Sequence, residues 1–235
     1  MSTSAPEATI DAVLFDLDGT LLDTPRAIAE QLVVAVYETT GFLPAVAAAE
    51  GLVGRPLPQL CATLAGLDLT SPQVQEIVDA YRHLYRTRVV PEAAALAFPG
   101  VVSGLKQLHE RGLALAVVTS KQSDSARLIL EASGLSRYFT TVIGVNDTAL
   151  PKPHPDPALL ALERLEVAPR AAVFVGDTVH DLATAQAVPM RTVAVTYGVG
   201  NETELRAMAP TGTVSSFAAV TDLILSLIST ESEQH

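Results

Sequence analysis

Residues 12–21 of the chain read AVLFDLDGTL. The first four residues are apolar, and Asp16 and Asp18 follow them within three positions, with Gly19 next. A short apolar run that ends in a polar loop is typical of a buried strand in a parallel sheet covered by helices on both faces. Open α/β sheets bind ligands at the carboxyl ends of their strands, so this stretch predicts the class of fold and the position of a functional site together.

The same pattern recurs along the rest of the chain. Further apolar, β-branched runs predict strands at residues 113–118, 141–143, 171–175 and 192–195. Amphipathic helical patterns alternate with these runs, as at residues 101–109 and 158–165. This alternation predicts an α/β fold, with a doubly wound parallel sheet in a Rossmann-like core.

A segment of another kind separates the first two predicted strands. Residues 24–97 have helical periodicity and no convincing strand pattern. We therefore predict that residues 24–97 form an inserted, all-helical cap domain, and that residues 1–23 and 98–235 form the core.

Within the helical segment, two helix starts and one apolar stripe can be assigned. Thr24 and Ser71 are each followed by a proline, so we predict that they are N-caps. Tyr81 and Tyr85 continue an apolar stripe at helical spacing, which indicates that they pack in the interior.

The composition excludes several classes of function. The formal net charge is −11, whereas nucleic-acid binding calls for a basic face, so we expect no nucleic-acid partner. We find no apolar run long enough to span a membrane. The single cysteine, Cys61, can form neither an internal disulfide nor a cysteine zinc cluster. We expect a soluble, cytoplasmic protein without a membrane partner.

Asp16 and Asp18 are separated by one residue in a predicted turn, so their carboxylates can take two different chemical roles. One can attack phosphorus and hold a metal ion, while the other moves the proton. Gly19 would let the backbone approach a phosphoryl oxygen closely. The alternative is an Asp-rich turn that bonds its own backbone amides, and the pair alone does not decide between the two interpretations.

Two further clusters supply hydrogen-bond donors and positive charge. Thr119, Ser120 and Lys121 follow a predicted strand, where a hydroxyl and the next amide can donate to a phosphate oxygen, although Thr119 could equally cap a helix. Lys152 lies between prolines that stiffen its loop. Its compact ammonium suits a bridge between a carboxylate and a phosphoryl group, and an exposed, solvated lysine is the alternative.

Asp177 and Asp181 form the last cluster. They lie four residues apart across the predicted start of a helix, directly after a predicted strand. Together with Asp16 they make an all-oxygen set of carboxylates, which favours Mg²⁺ over zinc. Acidic residues that complement a helix dipole are the alternative. The four clusters all follow predicted strands, and their combination indicates a single site.

This combination resembles the haloacid dehalogenase-like hydrolase superfamily, specifically its phosphoglycolate phosphatase-like branch with a helical cap. The four motifs occur in the family's order between residues 10 and 197. The resemblance implies a Mg²⁺-dependent phosphatase that hydrolyses a small phosphomonoester, similar to phosphoglycolate, through an aspartyl-phosphate. A small phosphorylated molecule is then the expected partner.

The resemblance also implies roles for the aspartates. Asp16 would be the nucleophile and a metal ligand. Asp18 would be the general acid and base, and would lend its backbone carbonyl to the metal. Asp177 would ligate Mg²⁺, and Asp181 would support the ion directly or through water.

The remaining motif residues would handle the substrate. Thr119 would bind the transferring phosphoryl group together with backbone amides near Gly19 and Ser120, and Lys152 would hold that group against the nucleophile. Arg55, in a loop of the helical segment, could meet a carboxylate or second phosphate of the substrate, or could be a surface arginine.

Particular residues argue for or against other activities of the same superfamily. Asp18 argues against a dehalogenase, which lacks the second aspartate. The absence of lysine from residues 24–97 argues against a phosphonate hydrolase that forms a Schiff base on a cap lysine. A sugar phosphomutase would keep all four motifs, and related pyrophosphatases share the Lys-Pro-x-Pro-x-Pro pattern of residues 152–157, so both stay open.

A metal- or nucleotide-binding module without turnover is the alternative from another class of function. The sequence Gly198-Val199-Gly200 hints at a dinucleotide loop, but Thr203 stands where a third glycine is required, so we interpret it as a bare loop. The identity of the leaving group and the oligomeric state, monomer or homodimer, are left open by the sequence.

Overall fold

The computed structural model describes residues 9–232, and one parallel sheet of six strands organises this part of the chain. The strands are β1 (Ala12–Phe15), β2 (Ala114–Val118), β3 (Thr141–Ile143), β4 (Ala172–Gly176), β5 (Arg191–Val195) and β6 (Gly212–Val214). Their order across the sheet is β3-β2-β1-β4-β5-β6, and all neighbouring pairs are parallel. The predicted doubly wound α/β fold is confirmed.

β1 lies inside the sheet because both of its edges are paired. Ala12 aligns with Ala114 of β2 on one side and with Ala172 of β4 on the other. Val13 and Phe15 pack into the apolar cluster on one face, whereas Ala12 and Leu14 pack into the cluster on the other. Burial on both faces explains why the strand is apolar at every position.

Six α-helices and two 3₁₀ helices (Ser136–Tyr138 and Pro169–Ala171) accompany the later strands, and a separate helical segment follows β1. Its helices are α1 (Pro25–Thr40), α2 (Val46–Glu50), α3 (Leu57–Ala65) and α4 (Pro72–Leu84), continued by a π-helix (Tyr85–Val89) and a 3₁₀ helix (Val90–Ala95). The later helices are α5 (Val101–Glu110), α6 (Ser123–Ala132), α7 (Asp156–Leu165), α8 (Val179–Gln186), α9 (Glu202–Ala207) and α10 (Phe217–Ser232). None of these described helices is long and apolar enough to cross a lipid bilayer.

The two chain connections of the helical segment run side by side. The amide of Asp23 donates to the carbonyl of Leu96 at 2.7 Å, and the amide of Phe98 donates to the carbonyl of Leu21 at 3.1 Å. Leu22 and Ala97 form an antiparallel bridge between these bonds. The helical segment therefore leaves the sheet and returns to it at one place.

The two predicted N-caps are right in position but not in bonding: Thr24 and Ser71 are the N-cap residues of α1 and α4. Among the described residues, neither Thr24 nor Ser71 makes a side-chain cap bond to its helix. The Thr24 backbone is itself helical, with φ −95° and ψ −17°, and its hydroxyl donates to Asp18 Oδ1 at 2.5 Å instead. The predicted burial of Tyr81 and Tyr85 is confirmed, with 6% and 3% of their surface exposed.

Candidate active site

The carboxyl ends of three adjacent strands bring the predicted motifs together. Asp16 follows β1, Thr119 follows β2 and Asp177 follows β4, and β1 lies between the other two strands. Lys152 comes from the loop between β3 and α7, and Asp181 from the first turn of α8. Strand order alone therefore places these side chains at one edge of the sheet.

Lys152 lies at the centre of a buried ion network. Its Nζ is 2.7 Å from Asp16 Oδ1 and 2.6 Å from Asp181 Oδ1, and it also donates to the carbonyl of Val118 at 3.2 Å. The Lys152 side chain is 4% exposed, and those of Asp16 and Asp181 are 8% and 0% exposed. The alternative of a solvated surface lysine is wrong.

Three buried carboxylates, those of Asp16, Asp177 and Asp181, form a group that fits a metal ion. One oxygen from each lies within 4.8 Å of the others. An all-carboxylate donor set suits Mg²⁺, a hard cation that prefers oxygen ligands. Lys152 offsets only part of the negative charge of the three groups, so a bound divalent cation would stabilise them further.

Burial and mutual repulsion shift the pKa values of this group. Burial raises the pKa of Asp16 well above its usual value. The positive charge of Lys152 lowers this pKa, and the negative charges of Asp181 and Asp177 raise it further. Burial also raises the pKa of Asp177 to about 7, and the charge of Asp181 contributes in the same direction. Burial by itself lowers the pKa of Lys152, but the charges of Asp16 and Asp181 outweigh that effect and raise it above its ordinary value.

Asp177 is oriented from two sides. The Thr20 hydroxyl donates to its Oδ1 at 3.0 Å, and the amide of Val199 donates to its Oδ2 at 2.9 Å. The loop at residues 198–200 is therefore not bare, since it holds this carboxylate. Gly19 has φ +91°, and a Cβ at its position would lie 2.5 Å from Asp177 Oδ2, so close packing against the carboxylate requires glycine there.

Asp181 is held by a capping box at the start of α8. The amide and hydroxyl of Thr178 donate to Asp181 Oδ2 at 2.9 and 2.6 Å, and the amide of Asp181 donates back to the Thr178 hydroxyl at 3.4 Å. Each carboxylate oxygen of Asp181 thus already has a donor, Thr178 for one and Lys152 for the other. These contacts set the orientation of the side chain.

The carboxylate of Asp18 lies outside the group that could hold a metal, and it faces other partners. Lys121 Nζ is 3.0 Å from Asp18 Oδ2, and the Thr24 hydroxyl donates to Asp18 Oδ1. Its side chain is 13% exposed and lines a cavity. Asp18 is therefore positioned by charge and a hydrogen bond at a place that a substrate can reach.

The phosphate-binding predictions need one correction. The amide of Gly19 donates to the carbonyl of Leu22 at 2.9 Å, so it is not available to a phosphoryl oxygen. The amides of Leu17 and Asp18 have no acceptor within residues 9–232 and are the available donors of this turn. Thr119 accepts a bond from the amide of Lys121 at 3.2 Å, which leaves its hydroxyl proton free to donate.

A cavity of about 530 Å³ lies over these groups. Asp16, Asp18, Thr119, Ser120 and Lys152 line it from the sheet side. The helical segment contributes Arg55, Tyr81, Arg82, Tyr85 and Arg86. Every predicted motif except the Asp177–Asp181 pair thus contributes to the wall of one cavity. The pair lies behind that wall, where both aspartates are close to Asp16 and Asp181 bonds Lys152.

Several residues at the site were not assigned a role by the sequence. Lys121 could have been suspected, because it is one of three lysines in the chain and directly follows Thr119 and Ser120. Tyr85 gave no such signal, since a tyrosine in an apolar helical stripe looks the same whether it fills a core or lines a cavity. The type and position of Thr24 favour an N-cap, and nothing in the sequence indicates that its hydroxyl bonds Asp18.

Comparison with known proteins agrees with this geometry. Residues 13–195 match the family described as haloacid dehalogenase-like hydrolase. A protein of Dickeya dadantii named "Probable phosphatase IndB" is 39% identical, over 88% of this chain and 90% of that protein. Pyrophosphatase PpaX of Bacillus pumilus is 33% identical, over 85% of the chain and 89% of PpaX.

Phosphoglycolate phosphatase of Escherichia coli O157:H7 is 34% identical, over 80% of the chain and 82% of that enzyme. Among solved structures, the crystal structure of "a predicted phosphatase from Clostridium acetobutylicum" has a TM-score of 0.81 and 26% identity, with 93% of this chain and 100% of that chain covered. The similarity thus extends over both the sheet and the helical segment.

Proposed function

Since the chain belongs to the haloacid dehalogenase-like hydrolases and is a phosphatase of that family, we propose that it hydrolyses a small phosphomonoester through an aspartyl-phosphate on Asp16. One observation carries this proposal: Asp16 and Lys152 form a buried ion pair on the wall of a cavity, beside Asp18 and Thr119. An ammonium 2.7 Å from the nucleophile can hold a phosphoryl group against it.

In the first step, a carboxylate oxygen of Asp16 attacks phosphorus, the bond to the leaving oxygen breaks, and Asp18 gives that oxygen a proton. Lys152, the Thr119 hydroxyl and the amides of Leu17 and Asp18 donate to the phosphoryl oxygens, where charge gathers in the transition state. The contacts of Asp18 with Lys121 and Thr24 keep its carboxyl beside the leaving group.

In the second step, Asp18 takes a proton from water, the water oxygen attacks the phosphorus of the aspartyl-phosphate, and Asp16 is released as a carboxylate. The products are inorganic phosphate and the alcohol. Asp18 returns to its protonated form, so the two aspartates complete a cycle without a net change.

Mg²⁺ is the proposed cofactor, and Asp16, Asp177 and Asp181 would hold it with the backbone carbonyl of Asp18. When bound, the ion supplies positive charge that stabilises the transferring phosphoryl group. Both oxygens of Asp181 have donors from the protein, which supports contact with the ion through water. The Thr20 hydroxyl and the Val199 amide hold Asp177 in the orientation required of a ligand.

The helical segment is proposed as the domain that selects the substrate, with boundaries near residues 24 and 97. Arg55 lies on the cavity wall and could pair with an anionic group of the leaving alcohol, as in phosphoglycolate. A pyrophosphatase is the second candidate, because PpaX is 33% identical to this chain.

Replacing the nucleophile provides the direct test. We expect Asp16→Asn to lower Mg²⁺-dependent phosphate release from p-nitrophenyl phosphate by roughly three orders of magnitude or more, because an amide cannot form the acyl phosphate. The measurement is initial rate in Mg²⁺ and in EDTA. Asp222→Asn, the same change at an exposed position on α10, should keep the wild-type rate. Full activity of Asp16→Asn would show that another group attacks phosphorus.

A further inference from the structure

The loop at residues 196–200 follows β5 and packs directly against Asp177. The amide of Val199 donates to Asp177 Oδ2 at 2.9 Å. Gly198 and Gly200 permit this approach, because a Cβ at either position would overlap with atoms of Asp177. The loop is therefore fitted to this aspartate more closely than a single hydrogen bond requires.

Tyr197 bonds the same loop to the turn that follows β1. Its hydroxyl donates to the carbonyl of Thr20 at 2.9 Å, and the hydroxyl of Thr20 donates in turn to Asp177 Oδ1 at 3.0 Å. Burial raises the pKa of the Tyr197 hydroxyl above its ordinary value, and the charge of Asp177 raises it further, so the hydroxyl keeps its proton at neutral pH. The two donors to Asp177 thus come from two segments that Tyr197 holds together.

The ring of Tyr197 packs against the chain connection that returns from the helical segment. The ring centroids of Tyr197 and Phe98 are 4.7 Å apart, with an angle of 60° between the ring planes. Phe98 is itself tied to the turn after β1, because its amide donates to the carbonyl of Leu21 at 3.1 Å. Tyr197 therefore contacts both the turn after β1 and the return connection, while its own loop holds Asp177.

The orientation of a carboxylate matters more for Mg²⁺ than for Ca²⁺. Mg²⁺ requires nearly ideal octahedral geometry, whereas Ca²⁺ accepts variable geometry and ligand number. Residues that orient a ligand contribute to metal affinity although they do not touch the ion. A loosely held Asp177 should therefore bind Mg²⁺ less well, with a smaller loss for Ca²⁺.

We propose that Tyr197 is a positioning residue of the metal site, which fixes the orientation of Asp177 and with it the selectivity of the site for Mg²⁺ over Ca²⁺. Its hydroxyl holds Thr20 where that residue can donate to Asp177. Its ring, supported by Phe98, holds the loop whose Val199 amide is the second donor. The inference rests on the proposed cofactor, Mg²⁺.

Calorimetric titration of the metal-free protein with MgCl₂ and with CaCl₂ tests this role without turnover. Tyr197→Phe keeps the ring and removes the hydroxyl. We expect it to raise the Kd for Mg²⁺ about five- to tenfold, and the Kd for Ca²⁺ about twofold or less. Phe98→Leu should shift the ratio of the two Kd values in the same direction, because the ring of Tyr197 loses its support.

Tyr138→Phe is the matched control. Tyr138 is buried, and its hydroxyl accepts a hydrogen bond from Arg137 at 3.1 Å. It lies in the 3₁₀ helix that precedes β3, and two strands separate β3 from β4, the strand before Asp177. Both Kd values should equal those of the wild type. The Tm in EDTA is measured for every variant, since a purely structural role would lower the Tm and leave the ratio of Kd values unchanged.

The outcomes separate this inference from the proposed function. An unchanged ratio of Kd values in Tyr197→Phe overturns the inference, as does an equal weakening of both metals. A shift in Tyr197→Phe without one in Phe98→Leu overturns the support from Phe98. A wild type that binds no Mg²⁺ overturns the proposed cofactor and the inference together. A wild type that binds Mg²⁺ but releases phosphate from no phosphomonoester and no pyrophosphate overturns the proposed function, whereas the Kd values still decide the inference.

Discussion

The charge balance around Lys152 governs the chemistry of individual residues at the site. Asp16 and Asp181 contact its ammonium at 2.7 and 2.6 Å, whereas Asp177 has neutral donors, the Thr20 hydroxyl and the Val199 amide. Neutral donors compensate a buried charge less than a cation does. Asp177 is therefore the carboxylate with most to gain from a bound cation.

Protons should compete with Mg²⁺ at this position. The pKa of Asp177 is raised to about 7, first by burial and then by the charge of Asp181, so the carboxyl is partly protonated at neutral pH without metal. We expect the Kd for Mg²⁺ to rise at least about tenfold for each pH unit below about 7, and to level off above it. Calorimetric titration across pH 5.5–8 measures this, and a flat profile would contradict it.

The raised pKa of Asp177 also predicts that the metal-free protein loses stability as the pH rises. A carboxyl whose pKa is higher in the folded state contributes stability that is complete below its unfolded value, 3.8, and is lost as the pH rises through about 7. In EDTA, the free energy of unfolding should therefore decrease between about pH 4 and 7. Asp177→Asn should reduce this decrease, while Asp222→Asn should not.

At the level of residues, the sequence was informative wherever the strand ends decide position. Asp16, Thr119 and Asp177 could be placed together because neighbouring parallel strands end at one edge. Contacts across the cavity could not be predicted in this way. The pairing of Lys121 with Asp18, and the presence of Tyr85 in the wall of the cavity, depend on how the helical segment packs over the sheet.

Among the elements, α8 differs from α1 and α4 in how it begins. Thr178 and Asp181 form a reciprocal capping box at the start of α8. Within residues 9–232, the side chains of Thr24 and Ser71 make no such bond, although both are typical N-cap residues followed by proline. Residue type shows that a cap is possible, but the local backbone and competing acceptors decide whether it forms.

Alanine substitutions should distinguish these helix starts. We expect Thr178→Ala to lower the free energy of unfolding by about 1 kcal/mol, because it removes the cap of α8. Ser71→Ala should change it by about 0.5 kcal/mol or less. Urea unfolding in EDTA measures both free energies. EDTA is included so that a metal ion held through Asp181 does not contribute to the measured stability. Equal costs for the two variants would show that the Thr178 bonds add nothing to stability.

Strand prediction had a similar limit at the last strand, β6. Strands with buried, apolar runs were predicted within about one residue, as for β4 at Ala172–Gly176. β6 (Gly212–Val214) was missed because its three residues are half-buried and form no apolar run. β3, the strand at the other edge, was predicted because its three residues are buried, so the incomplete burial of β6 is what weakens its sequence signal.

At the scale of the whole molecule, one apolar cluster joins the sheet to the helical segment. It contains Val13 of β1, Leu32 of α1, Cys61 of α3 and Ile77 of α4. The sequence predicted two separate bodies because the patterns on either side of residues 24 and 97 differ. It could not show that their interiors are continuous, since continuity depends on tertiary packing.

A continuous interior predicts a single unfolding transition. Cys61 is fully buried, and burial raises the pKa of its thiol to about 12, so it should react with a disulfide reagent only after α3 opens. We expect thiol reactivity and far-UV circular dichroism to share one urea midpoint.

Mg²⁺ sharpens this test, because its proposed ligands Asp16, Asp177 and Asp181 belong to the sheet and to α8, whereas Cys61 belongs to α3. Added Mg²⁺ should raise both midpoints equally. Reactivity of Cys61 at lower urea than the loss of circular dichroism would show that the helical segment opens on its own.

The central position of β1 has a consequence for how the protein is made. Of the six strands in residues 9–232, β1 is the first to leave the ribosome, yet its partners in the sheet begin at Ala114 and Ala172, and Ala172 is about 160 positions further along. At about 5–20 residues per second, β1 waits roughly 10 to 30 s for its second neighbour. Its four apolar residues, all fully buried in the finished sheet, lack that neighbour during the interval. The helices that follow can begin to form from local contacts meanwhile, but the interior that they share with the sheet is complete only after the later strands have been made.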